Sequence, residues 1–189
     1  MISLLSQVSA VLAAYEPPLD EVGHLTAMRE LVQSAGDVLS ATWFTPGHFT
    51  VSGFVTDPGL VAVVLIRHRR LDRWLQPGGH IEPEDGALSS ALMREMREET
   101  GLGGLAPEDP ELFDVDVHTV PPYAGAPAHR HYDLRFHLVT QTTDLGASAD
   151  VDDAAWVALD DIERWTDDQS VLRTVIKLKE LRGRQLGDR

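Results

Sequence analysis

The chain contains no cysteine among its 189 residues. Disulfides, zinc sites built on thiolates and a cysteine nucleophile are therefore excluded. No apolar run reaches the length of about 18 residues that a membrane-spanning helix needs. The segment from Met1 to Tyr15 has no basic residue ahead of its apolar part, so it does not read as a signal peptide. We expect a cytoplasmic protein without a membrane partner.

Basic residues are also scarce. Lys and Arg number 16 against 30 Asp and Glu, which gives a formal net charge of -14. Such a charge opposes loose binding to nucleic acid, so we expect no nucleic-acid partner. An anionic substrate would then depend on local cations. The 43% of hydrophobic residues suffices for a sizeable core in one domain.

Hydrophobic periodicity predicts the order of helices and strands. Helices are predicted at 3–15 and about 20–35, separated by Pro17 and Pro18, and at about 168–182. Strands are predicted at about 49–56, 60–67, 112–119, 131–140 and 154–158. This order favours an α/β fold with a mixed sheet flanked by helices. We divide the chain into an N-terminal helical extension, 1–40, packed on a domain of 41–189.

One further helix, between these strands, carries an unusual placement of acids. It follows the run Pro-Gly-Gly-His-Ile-Glu at 77–82 and ends with Arg-Glu-Met-Arg-Glu-Glu-Thr-Gly-Leu at 94–102. On a helical wheel Glu95 and Glu99 fall within about 20° of Leu88, and Glu98 lies about 80° to one side. The acids thus extend the apolar stripe of Leu88, Ala91 and Leu92. A solvated helix would carry them on the opposite side, with Ser90, Met93, Arg94 and Arg97.

Acids in such a stripe need a partner. Carboxylates three and four residues apart repel, and burial of one costs several kcal/mol unless it is paired or coordinated. Mg²⁺ or Mn²⁺ would relieve this cost, because both prefer oxygen ligands and commonly bridge to substrate phosphates. The alternative is a surface charge run, which the wheel and the preceding Gly-Gly turn disfavour.

Residues 79–102 resemble the signature box of the Nudix hydrolases. The box is a Gly, five residues, a Glu, seven residues, then Arg-Glu-apolar-x-Glu-Glu-x-Gly-apolar. Its second half matches at every specified position, from Arg94 to Leu102. Its first half is one residue longer here if Gly79 is the loop glycine. Asp85 is the acid nearest to the missing Glu, and it either replaces that Glu or caps the helix.

The resemblance implies an α/β/α sandwich and a metal-dependent hydrolase. In the family, such an enzyme cleaves the diphosphate bond of a nucleoside diphosphate linked to another moiety, or of a related nucleotide. It further implies Glu95, Glu98 and Glu99 as ligands of Mg²⁺ or Mn²⁺, with the Gly79 carbonyl, and Arg94 as a catalytic residue that orients one Glu. By the same analogy the chain forms a homodimer.

Two other functions compete with hydrolysis. The shifted first half of the box is compatible with a catalytically silent module that binds or senses a nucleotide. An enzyme similar to isopentenyl-diphosphate isomerase shares the fold, but its members use a cysteine that this chain lacks.

Histidines cluster after the box. His118, His129, His131 and His137 lie within twenty residues, and His80 lies in the box. On a strand, His131, Asp133, Arg135 and His137 share one face, which either lines the catalytic groove or is solvated. We assign substrate binding to His80, Glu82, His131 and Asp133 because His can donate to phosphate. A transition-metal site on the histidines is a weaker alternative, since no ligand spacing in the loop supports it.

Two tryptophans and a late group of acids complete the candidates. Trp74 either stacks on a base or packs at the end of a strand, and Trp156 is interpreted as structural. One of Asp150, Asp152 and Asp153 either supplies a further ligand or base, or all three lie in a solvated turn.

Overall fold

The computed structural model describes residues 2–103, 105, 111–146 and 151–187. These residues form four α-helices: α1 Leu4–Ala14, α2 Val22–Val32, α3 Leu88–Thr100 and α4 Gln169–Gly187. They also form seven strands: β1 Gly47–Thr56, β2 Ala62–His68, β3 Arg73–Leu75, β4 Gly78–His80, β5 Leu112–Val120, β6 His129–Val139 and β7 Val151–Ala158. Three short 3₁₀ helices lie at Leu19–Glu21, Pro83–Asp85 and Leu159–Arg164. Within the described ranges, none of the helices has the length and hydropathy of a membrane span.

Each helix and strand predicted from the sequence is present, but the structure differs from the prediction at Leu60 and at the Gly-Gly pair. The sequence predicts a strand that includes Leu60, yet Leu60 has a φ of 52° and the strand begins at Ala62. The reason is a turn closed by Asp57, whose carboxylate accepts from the backbone N–H groups of Gly59, Val61 and Ala62. The Gly-Gly turn is likewise part of a short strand, β4.

The described residues form two compact units. The first unit comprises those of 1–52, 78–94 and 107–136, and the second those of 53–77, 95–106 and 137–189. Three elements, β1, α3 and β6, run from one unit into the other.

In the first unit the start of β1 pairs antiparallel with β4, with Val51 opposite Gly79. Strand β6 is the other neighbour of β1 and pairs antiparallel with β5, with His118 opposite His131. Helix α1 packs on α2, and α2 packs on β5.

Polar contacts fix α2 on β5. Glu21 is fully buried and accepts from the Tyr15 hydroxyl at 2.5 Å and from the Val115 N–H at 3.3 Å. The Nδ1 atom of His24 accepts from the Val117 N–H at 2.8 Å. The 3₁₀ helix Leu19–Glu21 and α2 therefore both have hydrogen-bond partners on β5. The domain division at residues 40 and 41 stays a prediction.

In the second unit β2 lies between β7 and β3 and also pairs with the end of β1, all antiparallel. Its residues from Val63 to Ile66 are buried, as predicted for a central strand. The second half of α3 packs on β1 at Gly53, where an added Cβ would lie 2.7 Å from the Met96 sulfur. Helix α4 packs on the 3₁₀ helix Leu159–Arg164.

Candidate active site

The three acidic side chains near the end of α3 differ in their exposure to solvent. Glu95 is buried with 9% of its surface exposed, Glu99 is half-buried and Glu98 is exposed. Leu88, Ala91 and Leu92 are buried, so the predicted apolar stripe exists and Glu95 extends it. The Glu95 carboxylate therefore lies on the apolar face of α3, as the helical wheel predicted.

The N-terminus of α3 is fixed by the N-terminal helix α1. The side chain of Gln7 accepts from the Leu88 N–H at 3.1 Å, and its amide group donates to the Gly86 carbonyl at 3.3 Å. Gln7 thereby satisfies one of the N–H groups that a helix start leaves without an intrahelical partner.

The C-terminus of α3 is closed by Gly101, the glycine of the box. Its φ of 70° lies in the left-handed region, and its N–H donates to the Arg97 carbonyl at 3.0 Å. An added Cβ would lie 2.6 Å from the Cα of Gly146. Both the backbone conformation and the close approach require glycine here.

Asp85 lies between β4 and α3, and the sequence left its role open. Its side chain is only 5% exposed and accepts from Arg94 Nε at 3.0 Å and Nη2 at 3.0 Å. It also accepts from the Glu82 N–H at 2.8 Å, which completes a capping box of the 3₁₀ helix Pro83–Asp85. Asp85 therefore both caps a helix, the short one ahead of α3, and neutralises the box arginine.

Arg94 lies on the side of α3 opposite the apolar stripe, yet only 18% of its side chain is exposed. Besides Asp85, it donates to the His80 carbonyl at 2.8 Å. The exposed Glu82 carboxylate lies 3.8 Å from its Nε. The contacts hold the segment after β4 to the helix; orientation of a box glutamate by Arg94 stays a prediction.

The close approach of β1 requires a glycine at position 78 of the Pro-Gly-Gly run. Gly78 has a φ of 156°, and an added Cβ would lie 2.4 Å from the Ser52 Cβ. Gly79 follows in β4 opposite Val51. The expected turn was wrong because these glycines allow the backbone to pair closely with β1.

The predicted polar face of β6 is buried over part of its length. Asp133 is 3% exposed and accepts from Thr50 at 3.0 Å and Ser52 at 2.8 Å. Arg135 is fully enclosed and donates to Asp133 at 2.9 Å. The solvated alternative was therefore wrong for Arg135, while the substrate-binding role of Asp133 stays a prediction.

Arg135 also pairs with Asp114 at 3.4 Å and Asp116 at 3.3 Å. Burial lowers the pKa of the guanidinium, but Asp133, Asp116 and Asp114 together raise it above its ordinary value. The group is a permanent buried cation among three carboxylates.

Histidine rings converge beside this network. His131 lies 4.8 Å from His48 and 5.3 Å from His80 between ring centroids. His129 and His118 are its other neighbours, at 5.1 and 5.6 Å. Burial lowers the pKa of His131 to about 2, aided by the charges that the neighbouring histidines would carry. His131 is consequently neutral at physiological pH.

His48 was missed by the sequence analysis. It lies on β1, two residues before Thr50, and 80 residues or more separate it from the histidines of β6. Only the pairing of β1 with β4 and its adjacency to β6 bring it to the cluster. No local signal marks it.

The remaining candidates have partners within the protein. Trp74 packs edge-on against Trp165 at 4.7 Å, and Trp156 donates to the Thr143 carbonyl at 2.9 Å. Asp152 pairs with Arg69 at 2.8 Å. Asp150 lies outside the described residues.

Comparisons with known proteins identify the family. The family described as NUDIX domain matches residues 46–177, more than half of the chain. No curated protein matches the chain.

Several solved structures share the fold. A NUDIX-family hydrolase from Clostridium perfringens is 23% identical with a TM-score of 0.52, covering 71% of this chain and 97% of that one. The NUDIX domain of Shewanella oneidensis NrtR, complexed with ADP ribose, is 19% identical with a TM-score of 0.54 over 70% and 86%. The Escherichia coli dihydroneopterin triphosphate pyrophosphohydrolase is 18% identical with a TM-score of 0.53 over 67% and 91%.

These neighbours confirm the predicted α/β fold, and the match over residues 46–177 contains the whole box. The chain therefore belongs to the NUDIX domain family of pyrophosphohydrolases.

Proposed function

We propose that this protein is a divalent-metal-dependent hydrolase that cleaves the diphosphate bond of a nucleoside diphosphate linked to another moiety, or of a related nucleotide. The observation that carries the proposal is the burial of Glu95 on the apolar side of α3, with Glu99 half-buried and Glu98 exposed on the same helix. A helix whose acids served only solubility would expose all three.

The chemistry of the acids on α3 suits a hard cation. The three carboxylates lie within five residues of one helix and offer only oxygen donors, which hard cations prefer. Glu95, Glu98 and Glu99 would hold Mg²⁺ or Mn²⁺, and the family resemblance adds the carbonyl of Gly79. When bound, the ion supplies charge neutralisation at the phosphoryl oxygens and lowers the pKa of an attacking water.

Arg94 and Asp85 position β4 and the segment that follows it. Arg94 joins the His80 carbonyl to α3, and Asp85 holds the guanidinium in one orientation by two parallel hydrogen bonds. Such a fork is rigid, so Gly79, next to His80, is held in place before substrate arrives.

His80, Glu82, His131 and Asp133 are our candidates for substrate contacts. His80 and Glu82 are exposed, and neutral His131 can donate one hydrogen bond to a phosphate oxygen. Two fold neighbours support the substrate class by their descriptions: one is complexed with ADP ribose, and the other is a pyrophosphohydrolase of dihydroneopterin triphosphate. Both compounds contain a phosphoric anhydride.

A panel of nucleoside triphosphates, nucleotide sugars and dinucleoside polyphosphates tests the proposal, with Mg²⁺ or Mn²⁺ and products identified by mass. Cleavage at an anhydride bond that stops when the metal is removed by a chelator supports it. Binding of a nucleotide in a calorimeter without any cleavage would instead favour the silent module.

Homodimer formation and a cytoplasmic location also remain proposals. Sedimentation equilibrium tests the first, with a mass twice the monomer's 20.8 kDa as the expected result.

A further inference from the structure

His48, His80 and His131 form a group with the geometry of a metal site. One ring nitrogen of each lies within 4.8 Å of the others. A tetrahedral ion with Zn–N bonds of about 2.1 Å keeps its ligands about 3.4 Å apart. Side-chain movements of about 1 Å would therefore bring the three nitrogens onto one ion.

His48 provides an independent observation. It is fully buried, and its Nδ1 lies 3.1 Å from the Trp43 carbonyl, which can only accept. Nδ1 therefore carries the proton, and Nε2 carries a lone pair. Within the described part of the chain this buried Nε2 has no hydrogen-bond partner. A buried lone pair without a donor is costly, and a cation would satisfy it.

The partners around the group resemble those that orient metal-ligating histidines. His48 donates its other ring N–H to a backbone carbonyl, as such ligands usually do. His129 Nδ1 likewise lies 2.8 Å from the Pro127 carbonyl, and its Nε2 lies 3.3 Å from His131 Nε2.

We propose that His48, His80 and His131 bind a transition-metal ion of the Zn²⁺ class, distinct from the hard cation assigned to α3. Three imidazoles suit Zn²⁺, Co²⁺ or Ni²⁺, whereas Mg²⁺ and Mn²⁺ prefer oxygen ligands. Three protein ligands leave a fourth position for water or a substrate oxygen, on the side where His80 is exposed. The site goes beyond the proposed function, because metal binding by these residues requires no hydrolysis.

Cobalt titration of the chelator-treated protein tests the site without substrate. We expect one equivalent of Co²⁺ to produce the intense visible bands of a four-coordinate ion, and Zn²⁺ to displace it. The His80→Ala variant should weaken Co²⁺ binding roughly tenfold or more. Its side chain is exposed, so the fold should be unchanged by circular dichroism. His131→Asn should have the same effect.

Two controls separate this site from the others. His68→Asn removes a histidine of β2 outside the group and should leave the bands unchanged. Glu98→Gln should also leave them unchanged, even where it abolishes hydrolysis. Absence of the bands in the wild type, or bands lost in Glu98→Gln but kept in His80→Ala, would overturn the proposal.

Discussion

Arg94 donates two hydrogen bonds of 3.0 Å each to the carboxylate of Asp85. In this longer box the acid opposite the arginine lies one position earlier than the Glu of the family pattern and has a shorter side chain. Because Asp85 is 5% and Arg94 18% exposed, the pair is largely shielded from water.

Asp85→Asn should destabilise the protein by about 3 kcal/mol, because it removes the carboxylate charge that accepts two hydrogen bonds from the shielded Arg94 guanidinium. Urea denaturation measures the loss. Asp72→Asn is the control, since it breaks the exposed pair with Arg67 and should cost less than about 1 kcal/mol. Equal losses in the two variants would show that the Asp85–Arg94 pair contributes no more to the free energy of unfolding than an exposed pair does.

Gln7→Ala removes the cap that α1 provides to the start of α3. We expect a loss of about 1 kcal/mol in the free energy of unfolding, as for other helix caps. Gln33→Ala, at an exposed glutamine, should change it little. A stability indistinguishable from that of Gln33→Ala would mean that the cap contributes nothing.

Gly101→Ala should cost at least about 2 kcal/mol, because the left-handed φ and the contact with Gly146 both exclude a Cβ. Gly103→Ala, where an added Cβ meets nothing within 4 Å, is the matched control. Thermal unfolding of the two variants checks the difference.

Stability should depend on pH through His137. Burial lowers its pKa to about 4, so between pH 6.5 and 4 the unfolded chain binds a proton that the folded chain does not. Its contribution is therefore complete above pH 6.5 and is lost progressively as the pH falls toward 4. His137→Gln keeps a group able to bond Thr56 but does not titrate, so its unfolding free energy should fall less steeply over this interval. Parallel pH profiles would contradict this assignment.

The sequence predicted much of the fold because its signals are local. The apolar stripe from Leu88 to Glu95 and the uninterrupted run Val63–Ile66 each follow from the periodicity of one element. What the sequence did not predict depends on pairing between distant segments. Gly78 is a strand residue because it pairs closely with Ser52 of β1. Arg135 is buried because Asp114 and Asp116 of β5 pair with it. His48 contacts His131 because β1 and β6 are neighbours in the sheet.

Turnover of Glu98→Gln and Glu99→Gln tests the central claim most directly. Glu98 is exposed, so its replacement should leave stability unchanged while lowering kcat by orders of magnitude, because a ligand of the catalytic ion is lost. Glu84→Gln, at an exposed acid of the preceding 3₁₀ helix, should retain full activity. Undiminished turnover in both α3 variants, with the same Mg²⁺ dependence as the wild type, would contradict the account.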